Sequence, residues 1–263
     1  MKGFLLSLQS EFYKSRKTLG FWSAVLLPFL LTLLISLGFY FKSAKLAAFP
    51  GKMLWAQFSG ISLGMMGTLL LPIFIIFIAY SVNSVEHKSD TWKTLFTLPI
   101  PKWSIYSAKF FYAFFLILLC LMLFATFTIG FGNLLGLLKP ELKFVGVHME
   151  KELYEIYIKL FLGSLGTLAL QFVMSLIWKD FLKPMGIGFV GTIVGVILVT
   201  NVRWEYAYAF PYAQPLHAIM GLTKKIRVNS GLEMITDEVL ASIGIATVVF
   251  IAGYFIVRRL SIK

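Results

Sequence analysis

Six apolar runs, near 21–41, 56–82, 104–130, 154–178, 185–201 and 239–257, limit what this chain can fold into. Each has about the 17–25 residues that a helix needs to cross a ~30 Å hydrocarbon core. Repeated apolar runs of that length favour a single membrane unit over one large or two small soluble domains. Hydrophobic residues make up 59% of the 263, above the ~45–50% usual for a soluble domain. The expected fold is an all-α integral membrane protein with six transmembrane helices, one transmembrane domain over 1–263.

The formal net charge of +12 would suggest nucleic acid in a soluble chain. Here Lys and Arg stand beside the apolar runs, where basic residues hold cytoplasmic loops and meet anionic lipid, so no nucleic-acid partner is expected. An even number of spans with basic residues at both ends puts both termini in the cytoplasm. Lys224, Lys225 and Arg227 lie midway along an outer loop, where that rule weakens. Cys120, the only cysteine, falls inside an apolar run, so an intrachain disulfide is excluded and no Cys-based metal site is expected.

Residues 3–19 read as a helix in the membrane interface. At ~100° per residue, Phe4, Leu5, Leu8, Phe12 and Leu19 share one face, with Ser7, Ser10, Lys14 and Lys17 on the other. No small-residue cleavage site follows the first long apolar run, so that run is expected to stay as an anchor. After the second span, 85–97 suits a short cytoplasmic helix ended by Pro99. The outer loop 202–238, with Trp204, Tyr206, Tyr208, Phe210 and Tyr212, suits headgroup depth and leaves room for a re-entrant segment.

Candidate chemistry is sparse. Gly186, Gly188 and Gly191 have dinucleotide-like spacing, but they lie inside a span with no strand before them. Gly60, Gly64, Gly191 and Gly195 read instead as faces where helices pack closely. Few ionisable residues fall within a span. Glu155 and Lys159, four apart near an outer end, have a spacing that allows a pair on one helix face. No catalytic residue, cofactor or metal ligand is expected, because His87, His148 and His217 lie in separate loops or loop ends outside any H-E-x-x-H pattern. The chain also lacks a P-loop, so any ATP-driven work needs an ATPase on another subunit.

One stretch carries a resemblance. Glu86, then Asp90-Thr91-Trp92-Lys93, Leu95, Pro99, Lys102 and Ala108-Lys109, resembles the signature region of ABC-2-type permease subunits. The basic amphipathic start resembles their interfacial elbow helix, and Phe210-Pro211-Tyr212-Ala213-Gln214-Pro215 the stretch before their last span. The Thr-Trp-Lys wording is nearest the lantibiotic-immunity and bacteriocin-export permeases, although His87-Lys88-Ser89 replaces the second acid and glycine often found there. The resemblance implies a permease in the bacterial cytoplasmic (inner) membrane, paired with a second permease, identical or homologous, and a separate ABC ATPase. It makes 85–97 a coupling helix, with Glu86, Asp90, Trp92, Lys93 and Phe96 at the ATPase interface. The substrate implied is an amphipathic peptide, lipid or drug-like molecule. An ATPase-independent carrier and a membrane scaffold or sensor are the rival readings.

Overall fold

The computed structural model describes residues 2–89, 91, 95, 97, 99–147, 149–220 and 233–259. An amino-terminal helix, Lys2–Ser15, precedes the membrane bundle. Leu19–Phe41, Gly51–Ser89, Lys102–Leu138, Leu182–Val202 and Asp237–Arg259 are each long and apolar enough to cross a membrane. Glu150–Leu162 and Leu165–Ile177, bent by 43° at their junction, make a sixth span when taken together. In chain order these are the first to sixth spans, the bent pair being the fourth.

Contacts sort the bundle into two ends. At the proximal end, Gly3 lies against Ser104 and Gly253 against Tyr106, so the amino-terminal helix and the last turns of the sixth span share it. At the distal end, the Trp55 Nε1–H donates to the Phe144 carbonyl at 3.1 Å, inside a ring cluster with Phe39 and Phe58.

The first span shows how a helix is sorted by lipid rather than water. Gly20, Ala24, Pro28, Thr32 and Ser36, at four-residue spacing, are buried. Leu26, Leu30, Leu34 and Leu37 point outward. Small residues let the backbone come close to its neighbour, while large apolar ones lose nothing by facing lipid. Thr32 meets its hydroxyl requirement locally by donating to the Pro28 carbonyl at 2.6 Å.

Two spans depart from a regular helix, and each departure has a local cause. In the second span, Met66–Leu70 forms a π-helical turn just before Pro72. Pro has no N–H to give the preceding turn, and a π turn absorbs that defect. The fourth span breaks at Gly163-Ser164, a Gly/Ser pair of the sort that kinks helices. There the Ser164 hydroxyl donates to the Phe161 carbonyl at 2.7 Å.

The segment after the fifth span turns back into the bundle. Tyr212 is 6% exposed, and Ala207, Ala213, Gln214 and Leu216 are buried. The Tyr212 hydroxyl accepts from Gln171 Nε2 at 2.7 Å, and the Thr167 hydroxyl donates to the Pro211 carbonyl at 2.7 Å. A short helix over 214–220 follows, with Ile219 seated against Gly67 at the π turn. Cys120 is fully buried in the middle of the third span.

Candidate coupling site

Among the described residues, the proximal end holds a cluster of four charges, Glu11, Glu86 and Lys109 buried and Lys14 partly exposed. The amino-terminal helix turns Ser7, Glu11 and Ser15 inward at four-residue spacing, leaving Leu5, Leu6, Phe12 and Tyr13 exposed. Of the expected polar face, Ser7 is buried and Lys17 stays exposed, while Glu11 and Ser15 join Ser7 on the side that faces protein. The helix also ends at Ser15, short of the expected 19, before the first span starts at Leu19.

Glu11 meets Lys109, which lies fully buried in the third span. Lys109 Nζ donates to Glu11 Oε2 at 3.0 Å, to Glu86 Oε2 at 2.6 Å and to the Val82 carbonyl at 3.1 Å. Among the described residues these are three bonds, as many as an ammonium group has protons. Lys14 Nζ closes the ring, donating to Glu11 Oε1 at 3.1 Å and Glu86 Oε1 at 3.0 Å. Each carboxylate thus bridges both ammonium groups, and the formal charges cancel. Full pairing with saturated hydrogen bonds is the condition under which buried charge is tolerated. Burial disfavours the Lys14 ammonium, but the Glu11 and Glu86 carboxylates outweigh it and raise its pKa above the usual lysine value.

A second face of the same helix end is tied to the fourth span. Asn83 Nδ2 donates to the Ser175 hydroxyl at 2.8 Å, and the Ser175 hydroxyl donates to the Ala79 carbonyl at 2.9 Å. One turn on, His87 Nε2 lies 3.0 Å from the Ser175 carbonyl. Residues 79–87 of the second span are therefore held by the amino-terminal helix, the third span and the fourth span together.

The segment 85–97, expected to form a cytoplasmic helix, starts here. Residues 85–89 continue the second span as one helix to Ser89 rather than opening a separate one. The Thr91 N–H then donates to the Glu86 carbonyl at 3.2 Å, and the Leu95 N–H to the Thr91 carbonyl at 2.9 Å. Glu86, expected at the rim of a partner contact, is 1% exposed and spends its carboxylate inside the protein. The other expected interface residues, Asp90, Trp92, Lys93 and Phe96, lie outside the described residues.

Glu11, Lys14 and Lys109 were not foreseen as a site. A signal was present in the sequence: Lys109 is the only charged residue between Trp103 and Leu138, and a lone cation in a span implies a partner.

The distal end carries a second buried ion pair. Lys159, 2% exposed, lies 3.3 Å from Glu238 of the sixth span and donates to the Glu233 carbonyl at 3.1 Å. His217 Nδ1 is 3.6 Å from the other Glu238 oxygen. The Glu155–Lys159 pair that the spacing allows does not form; Glu155 faces Lys151 at 3.8 Å near the surface while Lys159 turns inward. Burial on one helix face outweighs a weak exposed pair.

The four glycines divide. Gly191 meets the Tyr212 ring and Gly195 the backbone of Tyr212 and Ala213, so both admit the returning segment rather than another span. A Cβ on Gly60 or Gly64 would meet nothing within 4 Å.

A family model described as ABC-2 family transporter protein matches residues 7–195, from the amino-terminal helix through most of the fifth span. No curated protein matches the chain.

Proposed function

The chain belongs to the ABC-2 family of transporter proteins, and on that premise we propose that it is the permease subunit of an ATP-driven exporter or extractor. A separate ABC ATPase binds the proximal end, which faces the cytoplasm of a bacterium with both termini on that side. ATP binding moves the segment around 85–97, and the bundle rearranges to pass an amphipathic peptide, lipid or drug-like molecule.

The observation that supports this most is the ring of Glu11, Lys14, Glu86 and Lys109. It lies at the root of the segment that would meet the motor. A displacement there reaches three helices at once, because none can move alone without stranding a buried charge.

Trp92 and Phe96, four apart in sequence, are the proposed anchors in the ATPase cleft, with Asp90 and Lys93 around them. Glu86 holds the root of this segment rather than its rim. Losing a buried aromatic anchor costs ~2 kcal/mol or more, about 30-fold in affinity. Trp92→Ala is therefore expected to release the ATPase in pull-downs from mild detergent and to abolish substrate-stimulated ATP hydrolysis, with insertion unchanged. Full ATPase capture by both Trp92→Ala and Phe96→Ala would remove the coupling assignment. A wild-type chain that captures no ATPase would remove the exporter reading itself.

The open face around Gly60 and Gly64 supports a second permease subunit, identical or homologous, packed there. Leu at either position finds empty space within one subunit but blocks close approach of another helix. Gly64→Leu is expected to keep the melting behaviour of the isolated chain and reduce its cross-linked dimer several-fold. An undiminished dimer would place the subunit contact elsewhere.

A further inference from the structure

Two apolar grooves flank the distal half of the first span. The smaller, about 110 Å³, runs between Tyr40 and the third span near Phe131 and Leu138. The larger, about 330 Å³, lies between the first and second spans, walled by Ile35, Gly38, Phe39, Leu46 and Ile61. That volume is within the ~300–1,000 Å³ of small-molecule sites. Its polar lining comes from Lys42 at the mouth and Gln57 along one wall.

Depth and charge identify the occupant. Lys42 lies seven positions after Ile35, so the groove runs ~10 Å along the helix axis. Lys42 directly follows the last residue of the first span, the position at which a spanning helix meets the lipid headgroups. Around it, Lys45, Lys52 and Lys143 are also exposed, and Lys139 sits 4.8 Å from the Tyr40 ring centroid. Glu141 is the one acidic residue within 42–52 and 139–143. A cationic rim above an apolar slot fits a molecule with an anionic head and a hydrocarbon chain.

We infer that this groove binds an anionic glycerophospholipid, one acyl chain lying against Gly38 and Ile61 and the phosphate at Lys42. The inference needs only that the chain spans a membrane, so it stands or falls separately from the exporter reading. Gln57 sits beside the chain's first carbons, where its amide reaches ester oxygens that a bare hydrocarbon lacks.

Gly38 makes the test clean. A Cβ there meets nothing within 4 Å, so Gly38→Leu fills the groove without disturbing the fold. Full-length protein in mild detergent is titrated with phosphatidylglycerol, with phosphatidylcholine of the same chains, and with glycerol 3-phosphate, and bound lipid is counted by native mass spectrometry. Phosphatidylglycerol is expected to bind about fivefold or more tightly than phosphatidylcholine, the increment of one lysine at a headgroup. Lys42→Gln should lower that preference several-fold, Gly38→Leu should weaken both lipids, and Lys17→Gln at the opposite end should change neither. Equal affinity for the two lipids in the wild type would overturn the site. So would unchanged binding in Gly38→Leu, or glycerol 3-phosphate competing as well as the lipid, which would mark a free-anion site. Occupancy that follows protein concentration rather than lipid would assign the groove to a second copy of the chain and also overturn it.

Discussion

Replacing Lys109 with Met is expected to destabilise the protein by ~3–5 kcal/mol, the cost of breaking a buried ion pair from one side. Met matches the length of the lysine stem but leaves Glu11 and Glu86 with Lys14 alone between them. Three bonds at 3.0, 2.6 and 3.1 Å vanish together. The cost comes mainly from the stranded carboxylates, so removing one of them should restore stability. Glu86→Gln combined with Lys109→Met is expected to recover about half of the loss or more, because buried pairs replaced as a unit are often near neutral. Equilibrium unfolding in mixed micelles, for the wild type, both single variants and the double variant, measures this coupling. A Lys109→Met protein within about 1 kcal/mol of the wild type would show that the ring carries no structural load. The double variant separates folding from transport. If stability returns and ATPase-driven transport does not, the ring acts in coupling as well as in packing.

Gly195→Leu should be nearly as damaging, for a steric reason. A Cβ at that position would sit 2.8 Å from the Tyr212 carbonyl oxygen and 2.9 Å from the Ala213 nitrogen. Both are backbone atoms and cannot rotate aside. The returning segment must then lift, giving up the Gln171–Tyr212 and Thr167–Pro211 bonds. Overpacking of this kind costs ~1–3 kcal/mol and occasionally more; with two buried hydrogen bonds lost as well, ~3 kcal/mol is expected. The matched control is Gly60→Leu, the same change on an open surface. Thermal stability of the two purified variants decides the matter. If both melt with the wild type, Gly195 is not the seat of the returning segment.

Much of the architecture was legible because bilayer thickness imposes it. An apolar run of spanning length has one stable outcome, and the six expected runs correspond to five helices and one bent pair. The ends were less legible. The second span runs to Ser89 rather than 82 because Asn83, Glu86 and His87 are polar yet satisfied by groups 23 to 92 residues away. Local composition cannot register a partner that distant. The third span extends to Leu138, beyond the expected 130, as a continuous apolar helix. The break in the fourth span was written in Gly163-Ser164, but small residues signal a packing face and a kink equally well. The same ambiguity affected Gly191 and Gly195, whose close neighbour proved to be a returning segment. Lys109 was the chief omission. Beside a span start it reads as a headgroup lysine, although it is the lone charge in its run; the inward turn of Glu11 and Glu86 shows it to be an interior one.

The burial of Cys120 has a chemical consequence. The only thiol in the chain is fully enclosed by the bundle, and a buried structural cysteine is inert toward water-soluble alkylating reagents. Every cysteine introduced at the surface is therefore the sole reactive sulfur in the molecule. Maleimides, spin labels and fluorophores will go where they are put, with no native residue to remove first. The side of the membrane on which each loop lies, and the distances between loops during an ATPase cycle, are open to direct reading in the otherwise wild-type protein.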